Sequence, residues 1–348
     1  MKQSDTDFAE NDGAAVPVVG RYGFTAPLPG SLCGHREQLV SLADAGYVDA
    51  WSAEVDGADA FGPLMLAAAW EPRFRLGTAV VPTFTRSPAV IAQSAATVAA
   101  AAPGRFLLGL GASSRVVVES WSGVPYTAPY ERTRDVLRFV RDALTGARMA
   151  QSYDSFSIDG FRLSRVPEVP PPILLAALRP KMVRLGVDEA DGVILNWVSP
   201  EDVARVRQLI MSRTADRKEV VARLFVCPTT DREIVRATAR RLITTYLNVP
   251  AYAEAQRWHG RADALIPMWD AWSAGDRRGA LEVVPDAVID ELFVHGSPSA
   301  CRKRISQYFA SGLTAVSLSI LGVPPESVFP SLCAIAPTGI PASAWPAG

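Results

Sequence analysis

The stretch PGRFLLGLGASSRVVVESWSGVPY, residues 103–126, decides how the rest of the chain is read. Residues 105–110 form a short apolar run ending in the Gly109-Leu110-Gly111 step, the pattern of a strand buried on both faces and followed by a tight loop. Two glycines let a ligand approach the backbone. Ala112, Ser113 and Ser114 then offer small side chains, amides and hydroxyls, a setting that suits a phosphate or a flat ring. Taken alone, such a step is an ordinary turn and Trp121 beyond it a packing residue, since short glycine patterns recur by accident. Its weight comes from what surrounds it.

Working outward, apolar runs of strand length stand at 21–26, 48–53, 74–81, 173–177, 193–197, 220–227 and 314–321. Helical patterns separate them. Leu39, Val40, Leu42 and Ala43 share a face that stops at Gly46, and residues 61–70, 130–144 and 180–190 carry further helices. Ser87-Pro88, Ser199-Pro200 and Ser297-Pro298 each pair an N-cap with a proline suited to the first helical turn, and Asp231 caps the helix after the seventh strand. Residues 153–164 alternate around Asp159-Gly160, the signal of a hairpin turning there. The tryptophan-rich segment 250–293 has an irregular pattern and reads as an insertion. Eight strands alternating with helices predict an α/β fold, a TIM (β/α)8 barrel with insertions. It spans 20–330, after a disordered tail over 1–19 and before a C-terminal extension over 331–348.

Composition narrows the partners. The 348 residues are 49% apolar with a formal charge of −1, so neither nucleic acid nor an anionic membrane finds a basic face here. Small molecules and further copies of the chain are the expected partners. The first residues are polar and acidic, without the basic start and apolar core of a signal peptide, and no apolar run reaches membrane-spanning length. A cytoplasmic location is expected. Cys33, Cys227, Cys301 and Cys333 lack paired spacing and read as reduced, buried and structural, while His35, His259 and His295 lack a second ligand at metal spacing, so no metal site is expected.

In a barrel of this kind chemistry sits at the C-terminal ends of strands. That places Glu54 after the second strand, in apolar surroundings that raise a carboxyl pKa. It is a candidate proton-transfer group; the competing reading is a carboxylate that only accepts hydrogen bonds. Asn196 and Trp197 end the sixth strand as candidate substrate contacts, although Trp197 equally suits packing under a loop. Trp258, Trp269 and Trp272 form either an apolar lid or the small core of the insertion.

With these strand ends in view the chain resembles the bacterial-luciferase-like family, in particular its actinobacterial deazaflavin-dependent oxidoreductases. The match is carried in family order by DAWSAEVDGADAFGPL from Asp49, RLGTAVVPTFTRSPAVIAQSAATV from Arg75, GRFLLGLGASSRVVVESWSGVPY from Gly104, PPILLAALRPKMVRLGVDEADGVILNW from Pro171 and GSPSACRKRISQYFASGLTAVSL from Gly296. The resemblance implies a homodimeric barrel holding a flavin or deazaflavin at its mouth, with a non-proline cis peptide at Ala79-Val80 against the central ring. It further implies that Gly109, Gly111, Ala112, Ser113 and Ser114 contact the ring or its side chain. The cofactor phosphate would lie by Ala176 and the amides of Ala177, Leu178 and Arg179, where Pro180 opens a helix and Lys181 adds charge. Two positions depart from the family. Glu54-Val55 stands where relatives place an Asp-His or similar pair, and Arg179 stands where many have glycine.

The function so implied is hydride transfer between coenzyme F420 and an organic substrate, the cofactor supplying reactivity and the barrel orientation. Arg179, Lys181 and Arg184 favour the longer anionic tail of F420, although a basic helix turn is also a common solvated face. An FMN-dependent monooxygenase fed by a separate reductase is the alternative within enzymes. A non-catalytic barrel that binds a cofactor or apolar ligand is the alternative of another class, kept open by the missing histidine at Val55.

Overall fold

The computed structural model describes residues 20–337; the tail expected over 1–19 and the end of the expected extension, 338–348, lie outside the described residues. The eight barrel strands are β1 (Arg21–Ala26), β2 (Asp49–Ser52), β3 (Arg75–Thr78), β4 (Phe106–Gly111), β5 (Ile173–Ala176), β6 (Gly192–Asn196), β7 (Glu219–Cys227) and β8 (Ala315–Ile320). Each is parallel to its neighbours in chain order, and β8 returns to pair with β1 through Arg21↔Ala315, which closes the barrel. The helices between them are α1 (His35–Asp44), α2 (Gly62–Trp70), α3 (Pro88–Ala101), α4 (Pro129–Leu144), α5 (Pro180–Glu189), α6 (Pro200–Met211), α7 (Arg232–Leu247) and α8 (Pro298–Ala310). The Ser-Pro starts act as read: Ser87, Ser199 and Ser297 each accept a backbone N–H of the first turn, and Asp202 completes a capping box with Ser199.

Alternation along the strands builds two cores. Outward residues such as Phe24, Leu76, Phe106, Leu108, Leu175, Val193, Leu224 and Leu318 pack against the helices. Inward residues stack in layers. At the bottom Arg21 and Arg75 meet Asp49 and Glu219, with Arg21 Nη2 2.6 Å from Glu219 Oε2 and Arg75 Nη2 3.3 Å from Glu219 Oε1. Burial pushes the Asp49 carboxyl up against the pull of both arginines; burial also pushes on Glu219, but Arg21 and Arg75 hold that carboxyl below its usual range. Above the charges Trp51, Leu107, Leu174, Ile194, Val221 and Ala315 form an apolar plug.

Several elements differ from the sequence reading. The expected third strand over 74–81 breaks after Thr78, where the Ala79-Val80 peptide is cis, and resumes as Val81–Pro82 beside Leu110 and Gly111. The hairpin pairs Met149–Ser152 with Ser157–Phe161, so its turn lies at 153–156 and not at Asp159-Gly160. Asp159-Gly160 instead supplies the extra residue of a bulge, with Met149 opposite Phe161 and Gln151 opposite Ile158, and with Gly160 at φ 76°. The segment 250–293 is not irregular: it folds as helices Pro250–Trp258, Ala262–Ser273, Arg277–Glu282 and Asp286–Leu292, then a short strand, Phe293–His295, beside the end of β7. Cys33 is exposed rather than buried, whereas burial pushes the Cys227 and Cys301 thiols up to about 11. No helix among the described residues is long and apolar enough to cross a membrane.

Where β3 leaves the ladder, Thr78 replaces it. Its hydroxyl accepts from Gly109 N at 2.7 Å and reaches Gly109 O at 2.9 Å, both buried. Thr78→Val keeps the shape and leaves both backbone groups without this partner, so urea unfolding should show a loss of about 2–4 kcal/mol, with Thr78→Ser retaining most of the stability. A loss below about 1 kcal/mol for the valine variant would show that Gly109 is satisfied otherwise.

Candidate active site at the barrel mouth

Above the plug the inward positions are nearly all small: Thr25, Ala79, Gly109, Gly111, Ala176, Ser317 and Ser319. The large inward residues are Asn196, Arg223 and Phe225, all on β6 and β7. The wall made by β3, β4 and β5 is cut back furthest. A Cβ on Gly109 would stand 1.9 Å from the Thr78 carbonyl oxygen, and one on Gly111 2.6 Å from Val80 Cγ2 and 3.0 Å from Ala176 Cβ. Glycine there lets the strands approach and the cis peptide sit flush with Ala176.

Two residues on the rim are left-handed without being glycine, Ser113 at φ 62° and Trp197 at φ 58°. Each has its carbonyl held by a distant side chain. The Tyr126 hydroxyl donates to Ser113 O at 3.2 Å, and Gln256 Nε2 donates to Trp197 O at 2.9 Å. Such conformations persist where the surroundings over-determine them, which marks the ends of β4 and β6 as built for a task.

Glu54 stands beside the same wall, its N–H donating to Val80 O at 3.3 Å. Its carboxylate is fully engaged: Arg86 Nε and Nη2 donate at 2.7–3.0 Å and Ala60 N at 3.1 Å. The bidentate fork makes Glu54 an acceptor that ties the loop after β2 to the loop after β3. Glu119 plays a similar local part, accepting from Arg115 at 2.5 Å and from Tyr126 N at 3.1 Å, while Trp121 is 57% exposed. At the start of α5 the amide of Ala177 already donates to Ile194 O at 2.9 Å. The backbone N–H groups that remain for an anion are those of Leu178, Arg179 and Lys181, and no side chain caps this helix. Arg179 is exposed near Tyr126, and Lys181 lies 3.7 Å from the Tyr130 ring centroid, most of its side chain exposed.

The opposite wall belongs to β6, β7 and β8. Arg223 pairs in register with Asn196 on one side and Ser317 on the other, so all three face inward. Tyr252, from the first helix of the 250–292 segment, closes over them and receives Asn196 Nδ2 at 3.4 Å. Burial raises the Tyr252 phenol, only partly countered by Asn196 and Arg223, so it keeps its proton at neutral pH. Trp197 is 1% exposed and packs its ring 4.4 Å from Phe225 and 5.5 Å from Tyr246. Trp269 joins the core of the same segment and Trp272 packs on it, while Trp258 lies against the barrel core.

A buried ionic cluster anchors that segment. Asp202 accepts from Arg261 Nη2 at 2.6 Å and from Ser199 N at 2.9 Å, with His259 Nδ1 2.9 Å from its other oxygen; Arg261 Nη1 donates to Gln256, which holds Trp197. Burial works to raise the Asp202 carboxyl, but His259, Arg261 and the Ser199 amide hold it below the usual carboxylate range. Sequence reading missed Arg86, Tyr252 and Arg223. Only Arg223 left a signal, a charge at the centre of the apolar run VVARLFVC. No group of side chains among the described residues is placed to hold a metal ion.

Comparison with known proteins agrees with this architecture. The luciferase-like monooxygenase family matches residues 20–315. A Mycobacterium tuberculosis protein provisionally named a coenzyme F420-dependent oxidoreductase is 26% identical over 307 residues, which cover 80% of this chain and 88% of that protein. The 5,10-methylenetetrahydromethanopterin reductase of Archaeoglobus fulgidus is 25% identical over 293 residues, covering 80% and 87%. Among solved structures, the coenzyme F420-dependent tetrahydromethanopterin reductase of Methanopyrus kandleri superposes with a TM-score of 0.74 at 18% identity, over 91% of this chain and 97% of that one.

The Asp202 cluster sets a pH dependence. A carboxyl whose folded pKa lies below its unfolded value, near 3.8, contributes its stability in full above that value and loses it as the pH falls through the folded one. Asp202→Asn removes one of the two carboxylates that Arg261 meets and should cost about 1–3 kcal/mol at pH 7. Unfolding followed from pH 7 down to about 3 should show the difference between wild type and variant shrinking only at the acid end; a constant difference throughout would remove Asp202 as its source.

Proposed function

Since the chain belongs to the luciferase-like monooxygenase family, we propose that it is an oxidoreductase moving a hydride between coenzyme F420 and an organic substrate held in the barrel mouth. The observation that carries this reading is the cut-back wall. Gly109, Gly111, Ala176 and the cis Ala79-Val80 peptide pack into a wall of backbone and small side chains with no room for a Cβ on either glycine, a level surface that fits a flat ring laid against β3–β5. The anionic part of the cofactor suits the start of α5, where the amides of Leu178, Arg179 and Lys181 and the charges of Arg179 and Lys181 favour a phosphate. Ser113 and Ser114, following β4, lie on the rim between these two places.

When bound, a deazaflavin supplies the carbon that gives or takes the hydride. The chain's own residues bind, orient and exclude water. Glu54 is assigned a positioning role, because the Arg86 fork and the Ala60 amide already occupy its oxygens and its backbone N–H fixes the carbonyl of Val80. Tyr252, which retains its proton and receives Asn196 Nδ2, is assigned to hydrogen-bond the substrate on the opposite wall. A homodimer is the assembly this reading takes over from the family.

Titration of the purified chain with F420 and with FMN tests the proposal, followed by absorbance and by protein fluorescence. F420 is expected to bind at least about tenfold more tightly than FMN. Arg179→Glu, at the exposed start of α5, should weaken F420 by about tenfold or more while the unfolding midpoint changes little. Selective binding of FMN would replace the proposal with oxygen-dependent chemistry, and binding of neither would overturn it. Tight F420 binding without turnover across a panel of alcohols, ketones, imines and activated alkenes would leave a binding protein in place of the enzyme.

A further inference from the structure

The arginines that face inward at the base of the barrel or line its buried clusters have carboxylate partners. Arg21 and Arg75 meet Asp49 and Glu219, Arg86 meets Glu54, and Arg261 meets Asp202 and Glu291. Arg223 does not. Among the described residues no carboxylate lies within 4.0 Å of it, and its one hydrogen bond runs from Nη2 to Ser319 Oγ at 3.1 Å. Its Nε is buried without a partner. The guanidinium lies 5.0 Å from the Phe225 ring centroid, held on the inward face between Asn196 and Ser317. A guanidinium left without a counter-charge inside a protein is costly, so its position on the inward face above the plug points to an anion arriving from outside.

The neighbours complete a recognition set. Asn196 Oδ1 is buried without a partner, Asn196 Nδ2 touches the Tyr252 hydroxyl, and Ser317 Oγ lies 3.1 Å from Thr25 Oγ1. The donors therefore converge on one wall as a planar fork, a phenol and two serine hydroxyls, the geometry that suits a carboxylate better than a neutral group. Strand order puts Arg223 on β7 across the barrel from β3, with the start of α5 beside the end of β6. An acid bound to Arg223 would present its remaining atoms to a ring on the far side.

We propose that Arg223, with Ser319 and Tyr252, forms the carboxylate-binding subsite for the substrate, so that this enzyme acts on organic acids. This deepens the reading above and rests on it only for the meaning of "substrate". The other source of the same chemistry is the carboxylate tail of F420 itself, and the test separates the two.

Acetate, benzoate and succinate are titrated against acetamide, benzamide and succinamide, in the cofactor-free full chain by tryptophan fluorescence and in the F420-loaded chain by cofactor absorbance. Trp197, 4.4 Å from the Phe225 ring that Arg223 covers, provides the cofactor-independent signal. At least one acid should bind about tenfold more tightly than its amide. Arg223→Gln should abolish that preference and change F420 affinity less than about twofold, and Arg223→Lys, which keeps charge and loses the fork, should retain part of it. No acid bound better than its amide would overturn the proposal, as would an Arg223→Gln variant that loses F420 binding and keeps the acid preference. Arg223-dependent acid binding in a chain that binds no F420 would uphold the subsite and sink the cofactor reading.

Discussion

A closed eight-stranded barrel has a fixed interior, and what fills it decides what the protein is for. In this chain the filling is uneven. The lower layer is ionic, with Arg21 and Arg75 neutralised by Asp49 and Glu219. The middle is a dry plug built around Trp51, whose ring so crowds Gly77 that a Cβ there would lie 2.1 Å from it. Above the plug volume runs short, because glycine, alanine, serine and threonine occupy positions where a packed barrel carries Val, Ile or Leu.

The shortage is shaped by backbone as much as by side chains. Ending β3 early turns the Ala79-Val80 peptide into the barrel, and only a glycine at 109 lets β4 lie against the Thr78 carbonyl. Thr78 then stands in for the missing ladder bonds. On the far side the segment over 250–292 closes the mouth, and its placement depends on charges buried well away from it. Asp202 starts α6, receives Arg261 and His259, and through Gln256 reaches the left-handed Trp197 at the end of β6. Helix cap, insertion and rim are thus linked by one set of buried polar contacts, which ends one residue beyond Asn196 on β6.

The strands were legible because a barrel strand is covered on both faces and reads as an apolar run, and the Ser-Pro pairs marked helix starts by a local mechanism that tertiary contacts did not override. The position of the cis peptide came from family resemblance alone, as nothing in Thr78-Ala79-Val80 announces it. Asp159-Gly160 was misread because the same dipeptide serves a tight turn and a bulge; the choice was made by Asp135, which accepts both the N–H and the hydroxyl of Ser155 at 2.9 Å, and by the stack of Tyr153 on Phe156 at 4.7 Å. The helices over 250–292 were hidden by their shortness, with a proline at 267 inside one of them. Glu54 was found as a strand-end carboxylate, but its partner Arg86 lies 32 residues on, across a helix and a strand, and no spacing rule connects them.

The two charged groups of the mouth are opposite in kind, and this asymmetry bears on catalysis. Glu54 on the β3–β5 side is neutralised twice over, by a guanidinium fork and a backbone amide, so it adds rigidity and little net field. Arg223 on the other side is left uncompensated, and its field extends into the space between the walls. An anionic substrate entering that space exchanges water for the guanidinium, the Tyr252 hydroxyl and the Ser319 hydroxyl, donors already in place before it arrives. Preorganised donors of this sort fix which end of a molecule meets which wall, and for a hydride transfer that orientation is most of what a protein has to supply.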